Sequence, residues 1–203
     1  MKAPFYVLFA GVNGAGKTTF YKSDLWQTDG MPKHMARVNP DEIVRELGGD
    51  WRSAHDNLEA GKRALHKIDA HFKAGRSFNQ ETTLCGKKIL ANIERARALG
   101  YRIFVYYIGV DSPETSLARI AHRVSLGGHD IASDVIRRRY NASITALSRI
   151  IDKCEQVVVF DNTDAFACKA IWVNGTLAWW GASSYGDNWL ADAIVDDSVW
   201  QRT

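Results

Sequence analysis

The sequence predicts an α/β fold: a parallel five-stranded sheet with helices on both faces, followed by a C-terminal β-hairpin. Apolar, β-prone segments alternate with helical segments along most of the chain, which is typical of a parallel sheet covered by helices. A glycine-rich loop stands between the first such segment and a helix start. Near the end, Asn174 and Gly175 separate two apolar segments and so indicate a two-residue hairpin. The length of 203 residues suggests one domain, 1–203.

The glycine-rich loop, Gly11 to Thr18, matches the phosphate-binding P-loop pattern G-x-x-x-x-G-K-[ST]. An apolar run of strand length, 5–10, precedes it, and a helix start follows it, as this motif requires. Its glycines allow backbone N–H groups to converge on a phosphate chain at a helix N-terminus. We expect Lys17 to contact the β- and γ-phosphates and the Thr18 hydroxyl to ligate Mg²⁺. The predicted nucleotide-binding residues of this loop are Gly11, Asn13, Gly14, Ala15, Gly16, Lys17, Thr18 and Thr19.

Composition and charge argue against several classes of protein. The chain is 46% hydrophobic and 24% charged, which is ordinary for a globular domain with a sizeable core. The net charge of +3 is too small to argue for nucleic-acid or membrane binding. The 3 cysteines lie far apart and in no metal-binding spacing, which indicates reduced thiols. Because we find neither signal-peptide architecture nor an apolar run of membrane-span length, we expect a cytoplasmic protein.

The remaining elements follow in chain order. Further strands are predicted at 35–38, 76–80, 102–108 and 156–160, and the hairpin at about 170–180. Helices are predicted over 17–21, 41–47, 53–74, 86–99 and 111–126, from Ser133 as N-cap to 151, and from Trp189 onward. The 53–74 helix carries a predicted apolar face at Leu58, Gly61, Leu65, Ile68 and Phe72.

Acidic residues follow the second, third and fourth predicted strands, at Asp41, Glu81 and Asp111. Because ligands bind at the carboxyl ends of parallel strands, we expect these residues to gather beside the P-loop. Transfer of a phosphoryl group to a hydroxyl needs an acceptor for the hydroxyl proton near the γ-phosphate, and Asp41 is the candidate for this base. Alternatively, Asp41 and Glu42 only complement the dipole of the helix that begins there.

An arginine-rich segment, 119–139, is predicted to form a lid over the bound nucleotide. Arg119 and Arg123 lie four residues apart and therefore on one helix face. Arginines on a closing lid exclude water and neutralise the charge that spreads over the transferred group. Three consecutive arginines, 137–139, cannot all point the same way, so we expect at least one of them to lie only on the surface. The alternatives are a solvated basic face and a nucleic-acid patch.

Four motifs follow the P-loop in order. They are Asn39 to Asp41, Glu81 to Leu84, Arg123 to Ile131 and Ile136 to Tyr140. This order resembles the zeta toxin family of kinases over roughly 5–161. The resemblance implies a P-loop kinase fold, ATP and Mg²⁺ as cofactors, and a small antitoxin protein as partner. Characterised zeta toxins phosphorylate the 3′-hydroxyl of the sugar in UDP-N-acetylglucosamine, so the implied substrate is a UDP-sugar or a similar small molecule.

The resemblance also assigns roles to the residues whose motifs match. By this resemblance, the catalytic residues of the chain would be Asp41, as the base, together with Lys17 and Arg123. Thr18 would hold the metal, and Glu81 and Thr82 would hold substrate hydroxyls. Arg119, Arg123 and one of the arginines 137–139, with Arg138 as the candidate, would contact the nucleotide from the lid.

Two other functions stay open from the sequence. A polynucleotide or RNA-end kinase, or a housekeeping kinase of the same build, would use the same base and lid. A nucleic-acid substrate would favour a broader basic surface than a net charge of +3 supplies. An NTP-dependent switch or binding module, a different class, usually needs the motifs D-x-x-G and N-K-x-D, and the sequence has neither.

Overall fold

Strands and helices alternate along the chain as the apolar patterning predicts. The computed structural model describes residues 3–28, 30–50, 52–128, 130–181 and 188–194. The strands are β1 (Phe5–Gly11), β2 (Ala36–Val38), β3 (Phe78–Thr82), β4 (Arg102–Gly109), β5 (Gln156–Asp161), β6 (Ala167–Val173) and β7 (Thr176–Trp180). The helices are α1 (Lys17–Lys22), α2 (Pro40–Glu46), α3 (Ala54–Lys73), α4 (Lys87–Ala98), α5 (Pro113–Ser125), α6 (Ser133–Ser148) and α7 (Asn188–Ile194), with a 3-10 turn at Ile151–Lys153.

One sheet contains all seven described strands, in the order β2-β3-β1-β4-β5-β6-β7. The strands β1 to β5 are parallel, as predicted. The predicted hairpin is present but is not separate, because β6 pairs antiparallel with β5 and β7 with β6. The expected strand number of five is therefore too low. Without the hairpin, the outer edge of β5 would leave its backbone N–H and C=O groups unpaired.

The two central strands place the P-loop at the middle of the sheet edge. Every residue of β1 is buried, and every residue of β4 except Arg102. Because successive side chains of a strand point to opposite faces, both faces of the sheet are covered here. Phe9 of β1 pairs with Glu81 on one side and with Tyr106 on the other. The end of β3 thus lies directly beside the strand that leads into the P-loop.

The long helix α3 buries only part of the predicted face: Ile68 and Phe72 are buried as predicted, but the predicted leucines are not. Leu58 is 60% exposed, whereas Ala60, Ala64, Ile68 and Phe72 are buried at four-residue spacing. Small alanine side chains allow α3 to approach the elements it packs on, which include α2. The predicted leucines are therefore displaced toward solvent.

Three further details refine the predicted elements. The third strand begins two residues later than predicted, so that Glu81 and Thr82 belong to β3 itself. Ser133 is the first residue of α6, with Ala132 at the N-cap position, so the predicted serine cap is wrong. In the hairpin, Trp172 is 1% exposed and packs in the core. Across the described ranges, no helix combines the length and the apolar character that a membrane crossing requires.

Candidate active site

The P-loop connects the end of β1 to the start of α1 at the carboxyl edge of the sheet. Gly14 and Gly16 have φ values of +73° and +90°, in the left-handed region that favours glycine. A Cβ atom at Gly16 would lie 2.6 Å from the amide nitrogen of Asn162, which donates a hydrogen bond to the Ala15 carbonyl oxygen (2.8 Å). The first N–H groups of α1 need partners from outside the helix, which is the arrangement that binds phosphate.

Lys17 is buried at the base of this loop, with 8% of its surface exposed. Its Nζ donates a hydrogen bond to the Val12 carbonyl oxygen at 2.8 Å. Burial lowers the pKa of Lys17, while the carboxylates of Glu81 and Asp41 raise it and the Arg123 guanidinium lowers it. Glu81, Asp41 and Arg123 are therefore all close enough to Lys17 to change its pKa. The structure therefore brings the predicted lysine, base and lid arginine together.

The Glu81 carboxylate is contacted by three donor side chains at the cleft. Both of its carboxylate oxygens lie 3.0 Å from the Thr18 hydroxyl, which donates to them. The Asn39 side-chain amide donates to the same carboxylate at 3.1 Å, and the Arg37 guanidinium forms an ion pair with it. The side chain of Glu81 is 13% exposed. A nearly buried carboxylate is therefore held in one position by three donors from three segments of the chain.

Asp41 reaches the cleft from the first turn of α2. Pro40 begins this helix, and the Asn39 side chain caps it by accepting a hydrogen bond from the Asp41 N–H at 3.0 Å. The neighbouring acid, Glu42, is ion-paired with Arg37. Asp41 is exposed and lines the cleft together with Lys17. The two acids of this helix start thus have different surroundings, and only Asp41 contributes to the cleft lining.

The arginine-rich segment is divided between the cleft and the surface. Arg119, Arg123 and Arg139 line the cleft. Arg138, which the sequence analysis selected, is exposed and is not among the lining residues, whereas Arg137 pairs with Glu114 of α5. Consecutive residues of a helix are about 100° apart, so the packing of α6 decides which arginine faces inward. Here it is Arg139.

Several lining residues were missed from the sequence. They are Asn39, Pro40, Asn57, Gln80, Thr83, Ile120, Asp130, Ile131 and Val135, none of which was given a role of its own. Asn57 comes from α3, for which only an apolar packing face was predicted, and nothing in its local pattern separates it from a surface residue. The expected contribution of Asp111 is absent from the lining. Its carboxylate instead accepts a hydrogen bond from the Thr115 hydroxyl (2.6 Å) at the start of α5.

The cleft has a volume of about 700 Å³ and contains most of the predicted site. The predicted residues that line it are Asn13, Gly14, Gly16, Lys17, Thr18, Thr19, Asp41, Glu81, Thr82, Arg119 and Arg123. Gly11 and Ala15 are not in the lining. Gly11 serves the packing of the sheet instead, because a Cβ there would lie 1.9 Å from the Ile108 carbonyl oxygen.

The donor set fits a magnesium nucleotide. Thr18 and Glu81 offer hard oxygen ligands at one point, and Mg²⁺ in phosphate sites usually takes one or two protein ligands plus phosphate oxygens and water. Within the described ranges, no group of three or more His, Cys, Asp and Glu side chains could hold a metal by itself. The Asn13 side-chain oxygen is buried without a described partner, so it is an acceptor that still needs a donor.

Comparison with known sequences identifies the family. The sequence model of the family described as "Zeta toxin" matches residues 1–169. The chain belongs to the zeta toxin family. An uncharacterized protein of Haemophilus influenzae is 32% identical over 136 residues, which make up 66% of this chain and 91% of that protein. The predicted resemblance is therefore confirmed.

Two solved structures share this fold at low sequence identity. A structure from the PezAT chromosomal toxin–antitoxin system of Streptococcus pneumoniae has a TM-score of 0.58 at 16% identity and covers 97% of this chain and 87% of that one. The complex of AvrRxo1-ORF1 and AvrRxo1-ORF2 with ATP has a TM-score of 0.67 at 17% identity and covers 90% of this chain. This chain spans 62% of the length of that second match. Family and fold together support an ATP-dependent phosphotransferase.

Proposed function

We propose that this zeta toxin family member transfers the γ-phosphate of ATP to a hydroxyl group of a small, sugar-bearing acceptor of the UDP-N-acetylglucosamine class. The observation that carries the proposal is the meeting of three kinds of group in one cleft. Lys17 and Thr18 supply the phosphate and metal functions, Asp41 the base, and Glu81 a fixed carboxylate. The family supports the same reaction.

The nucleotide would lie along the P-loop. Lys17 would contact the β- and γ-phosphates, and Arg119, Arg123 and Arg139 would neutralise the charge that spreads over the transferred group. Magnesium, held by Thr18 and the phosphate oxygens, would supply further charge neutralisation when bound. We therefore replace Arg138 by Arg139 in the proposed site, because it is Arg139 that lines the cleft.

The acceptor would occupy the part of the cleft formed by β2, β3 and the helices that follow β2. An acceptor hydroxyl attacks the γ-phosphorus, a new oxygen–phosphorus bond forms, and the bond from the γ-phosphorus to the bridging oxygen of ADP breaks. The hydroxyl proton moves to the Asp41 carboxylate. Asn57 and Thr82 carry the polar groups that would hold further hydroxyls of the acceptor, whereas the Glu81 carboxylate, which accepts from the Thr18 hydroxyl, would support the magnesium site.

The test incubates the purified chain with Mg²⁺–ATP and a panel of UDP-sugars, nucleosides and short RNA ends, with product detection by mass. We expect a phosphorylated UDP-sugar. ATP consumption with a nucleoside or RNA end alone would keep the phosphotransferase and reject the sugar-nucleotide acceptor. Binding of nucleotide without transfer to any acceptor would contradict the proposed reaction and favour a switch or binding module.

The role of Asp41 is tested with Asp41→Asn. Loss of a general base typically costs 10²- to 10⁴-fold in rate, so we expect kcat to fall by about this factor while ATP binding persists. Asp56→Asn is a matched control, because Asp56 also lies in the first turn of a helix, α3, and is absent from the cleft lining. Turnover of the Asp41 variant at the rate of the control would eliminate Asp41 as the base.

We also propose that a small antitoxin protein acts on this chain, as in the toxin–antitoxin system of its structural relative. If kinase activity causes toxicity, expression of the chain should arrest growth and Lys17→Ala should relieve the arrest. Lys22→Ala serves as the control, since Lys22 is exposed at the end of the same helix. Arrest that persists with Lys17→Ala would mean that toxicity does not come from phosphotransfer.

A further inference from the structure

The C-terminal helix α7 lies beyond the residues that the family model matches, 1–169, yet it reaches the nucleotide side of the fold. Its Trp189 ring packs 6.1 Å from the ring of Tyr107, between centroids. The same ring covers Gly109 at the end of β4, where an added Cβ would lie 2.2 Å from the indole. Trp189 therefore occupies a position that depends on the absence of a side chain at residue 109.

Trp189 also makes a specific polar contact. Its indole N–H donates a hydrogen bond to one carboxylate oxygen of Asp161 at 2.7 Å. The other oxygen of Asp161 accepts a hydrogen bond from the Thr163 N–H, also at 2.7 Å. Asp161 is 7% exposed. A buried carboxylate is thus shared between α7 and the loop that follows β5, residues 162–166, which we call the β5–β6 loop.

The β5–β6 loop contacts both protein segments that would hold the nucleotide. The Asn162 side chain donates to the Ala15 carbonyl oxygen of the P-loop at 2.8 Å. The Thr163 carbonyl oxygen accepts a hydrogen bond from the Arg119 guanidinium, also at 2.8 Å. A continuous series of direct contacts therefore runs from Trp189 through Asp161 and Thr163 to Arg119.

We propose that Trp189 is a positioning residue for nucleotide binding: it holds Asp161, which holds the β5–β6 loop against the P-loop and Arg119. This inference rests on the proposed function, since it takes the P-loop and Arg119 as the ATP site. Preorganised contacts raise affinity because less ordering is required on binding. Loosening the loop should therefore weaken ATP binding and leave the transfer step, which depends on Lys17 and Asp41, nearly unchanged.

The test is Trp189→Phe, which keeps an aromatic ring over Gly109 and removes the N–H donor. ATP affinity is measured directly by calorimetric titration with Mg²⁺–ATP, and KM and kcat are measured with saturating acceptor. We expect the Kd and KM for ATP to rise about three- to tenfold, the range that corresponds to the net contribution of one ordinary hydrogen bond, because the lost contact acts on ATP only through the β5–β6 loop. We expect kcat to stay within about twofold and the KM for the acceptor to stay unchanged.

Trp172→Phe is the matched control. It makes the same chemical change at a buried tryptophan of β6 whose indole nitrogen has no described hydrogen-bond partner. It should leave the Kd for ATP unchanged even if it lowers the melting temperature. Equal effects of Trp189→Phe and Trp172→Phe on the Kd for ATP would overturn the proposal. Such a result would mean that the affinity falls only because a buried tryptophan packs less well.

A double-mutant cycle tests the route through Asp161 independently. Asp161→Asn alone should weaken ATP binding, and adding Trp189→Phe to it should have little further effect, because the two residues act through one contact. Additive effects would overturn the proposal. Absence of ATP binding by the wild-type chain would instead reject the proposed function. Normal ATP binding by the wild type, Trp189→Phe and Asp161→Asn proteins alike would reject only the role of Trp189.

Discussion

The Thr18 hydroxyl donates to the carboxylate of Glu81 and lies 3.0 Å from each of its oxygens. Thr18 belongs to the first turn of α1 and Glu81 to β3, and 62 residues separate them in sequence. The parallel pairing of Phe9 with Glu81 brings the two together, since it aligns the end of β3 with the end of β1. Two oxygen groups suited to Mg²⁺ thus meet beside the phosphate-binding loop.

Replacement of Glu81 should change the magnesium dependence of the reaction. Glu81→Gln removes a charge next to the Thr18 hydroxyl, and outer ligands of metal sites typically contribute 10- to 100-fold in metal affinity. We expect the Mg²⁺ concentration for half-maximal rate to rise about tenfold, measured by titrating Mg²⁺ at fixed ATP. Glu59→Gln, on the exposed side of α3, is the control. If the KM for the acceptor rises and the Mg²⁺ dependence does not change, Glu81 binds substrate hydroxyls and does not support the metal.

Arg37 should be needed to keep Glu81 in place. Its side chain is 10% exposed, pairs with both Glu42 and Glu81, and lies 3.8 Å above the ring centroid of Tyr21. Arg37→Met leaves two carboxylates without this partner, and because Glu42 is 32% exposed we expect a loss of about 3 kcal/mol in the free energy of unfolding, the lower end of the range for a broken buried pair. Urea unfolding measures this loss.

Arg37→Lys separates charge from geometry. Lysine retains the positive charge but lacks the planar fork that reaches several acceptors at once. We expect a smaller loss in the free energy of unfolding than with methionine. Equal losses for the two variants would show that the charge of Arg37 contributes nothing.

Two glycines should respond to alanine in opposite directions. At Gly11, φ is +136° and a Cβ would lie 1.9 Å from the Ile108 carbonyl oxygen. Gly11→Ala should therefore destabilise the fold by about 3 kcal/mol or more. At Gly61, within α3, nothing lies within 4 Å of an added Cβ, so Gly61→Ala should stabilise by about 0.5–1 kcal/mol. Thermal unfolding of both variants measures these changes in stability. A Gly11→Ala protein as stable as the wild type would contradict the strand packing described above.

Stability should depend on pH through the ion pair of Arg102 and Glu155. Two hydrogen bonds, of 2.8 and 2.6 Å, join the guanidinium to the carboxylate, and they lower the pKa of Glu155. Because the folded-state pKa is depressed, the stabilisation is present above the unfolded-state pKa of about 4.3 and is lost as the pH falls through the folded-state value.

Glu155→Gln tests this dependence. Both side chains are partly exposed, so the expected loss at pH 7 is about 0.5–1 kcal/mol. The difference from the wild type should shrink as the pH falls below about 4.3 and vanish at a pH low enough to protonate the wild-type carboxylate in the folded state. Glu46→Gln, whose pair with Lys67 is more exposed, should show a smaller difference. A loss of equal size at both pH values would mean that the charge of Glu155 is not the cause.

The nucleotide half of the candidate site was predictable because its signal is local. A P-loop is one continuous segment, and its flanking strand and helix are read from adjacent residues. The polar residues at the carboxyl ends of β2 and β3 were predictable for a related reason, since parallel strands end at one edge. Arg37 was not predictable in this way, because an arginine in a short strand has no local feature that separates an ion-paired core residue from a surface residue.

The choice among the arginines 137–139 shows the same limit. Their presence near the lid could be read from the sequence, but which of them faces the cleft depends on the rotation of α6 about its own axis. That rotation follows from the buried residues Ile136, Tyr140 and Ile144, which pack on the rest of the fold. A rotation of one residue would exchange Arg139 for Arg138.

By itself, the sequence determined the α/β class, the phosphate-binding loop and which polar residues lie at the ends of the parallel strands. These features depend on the periodicity of apolar residues and on the spacing of glycines, which are local along the chain. Only the tertiary structure decided that the hairpin extends the sheet, that Arg37 and Thr18 meet on Glu81, and that Trp189 contacts Asp161. These contacts join residues far apart in the chain. They depend on strand register and helix packing, which the whole fold sets together and which no local segment encodes.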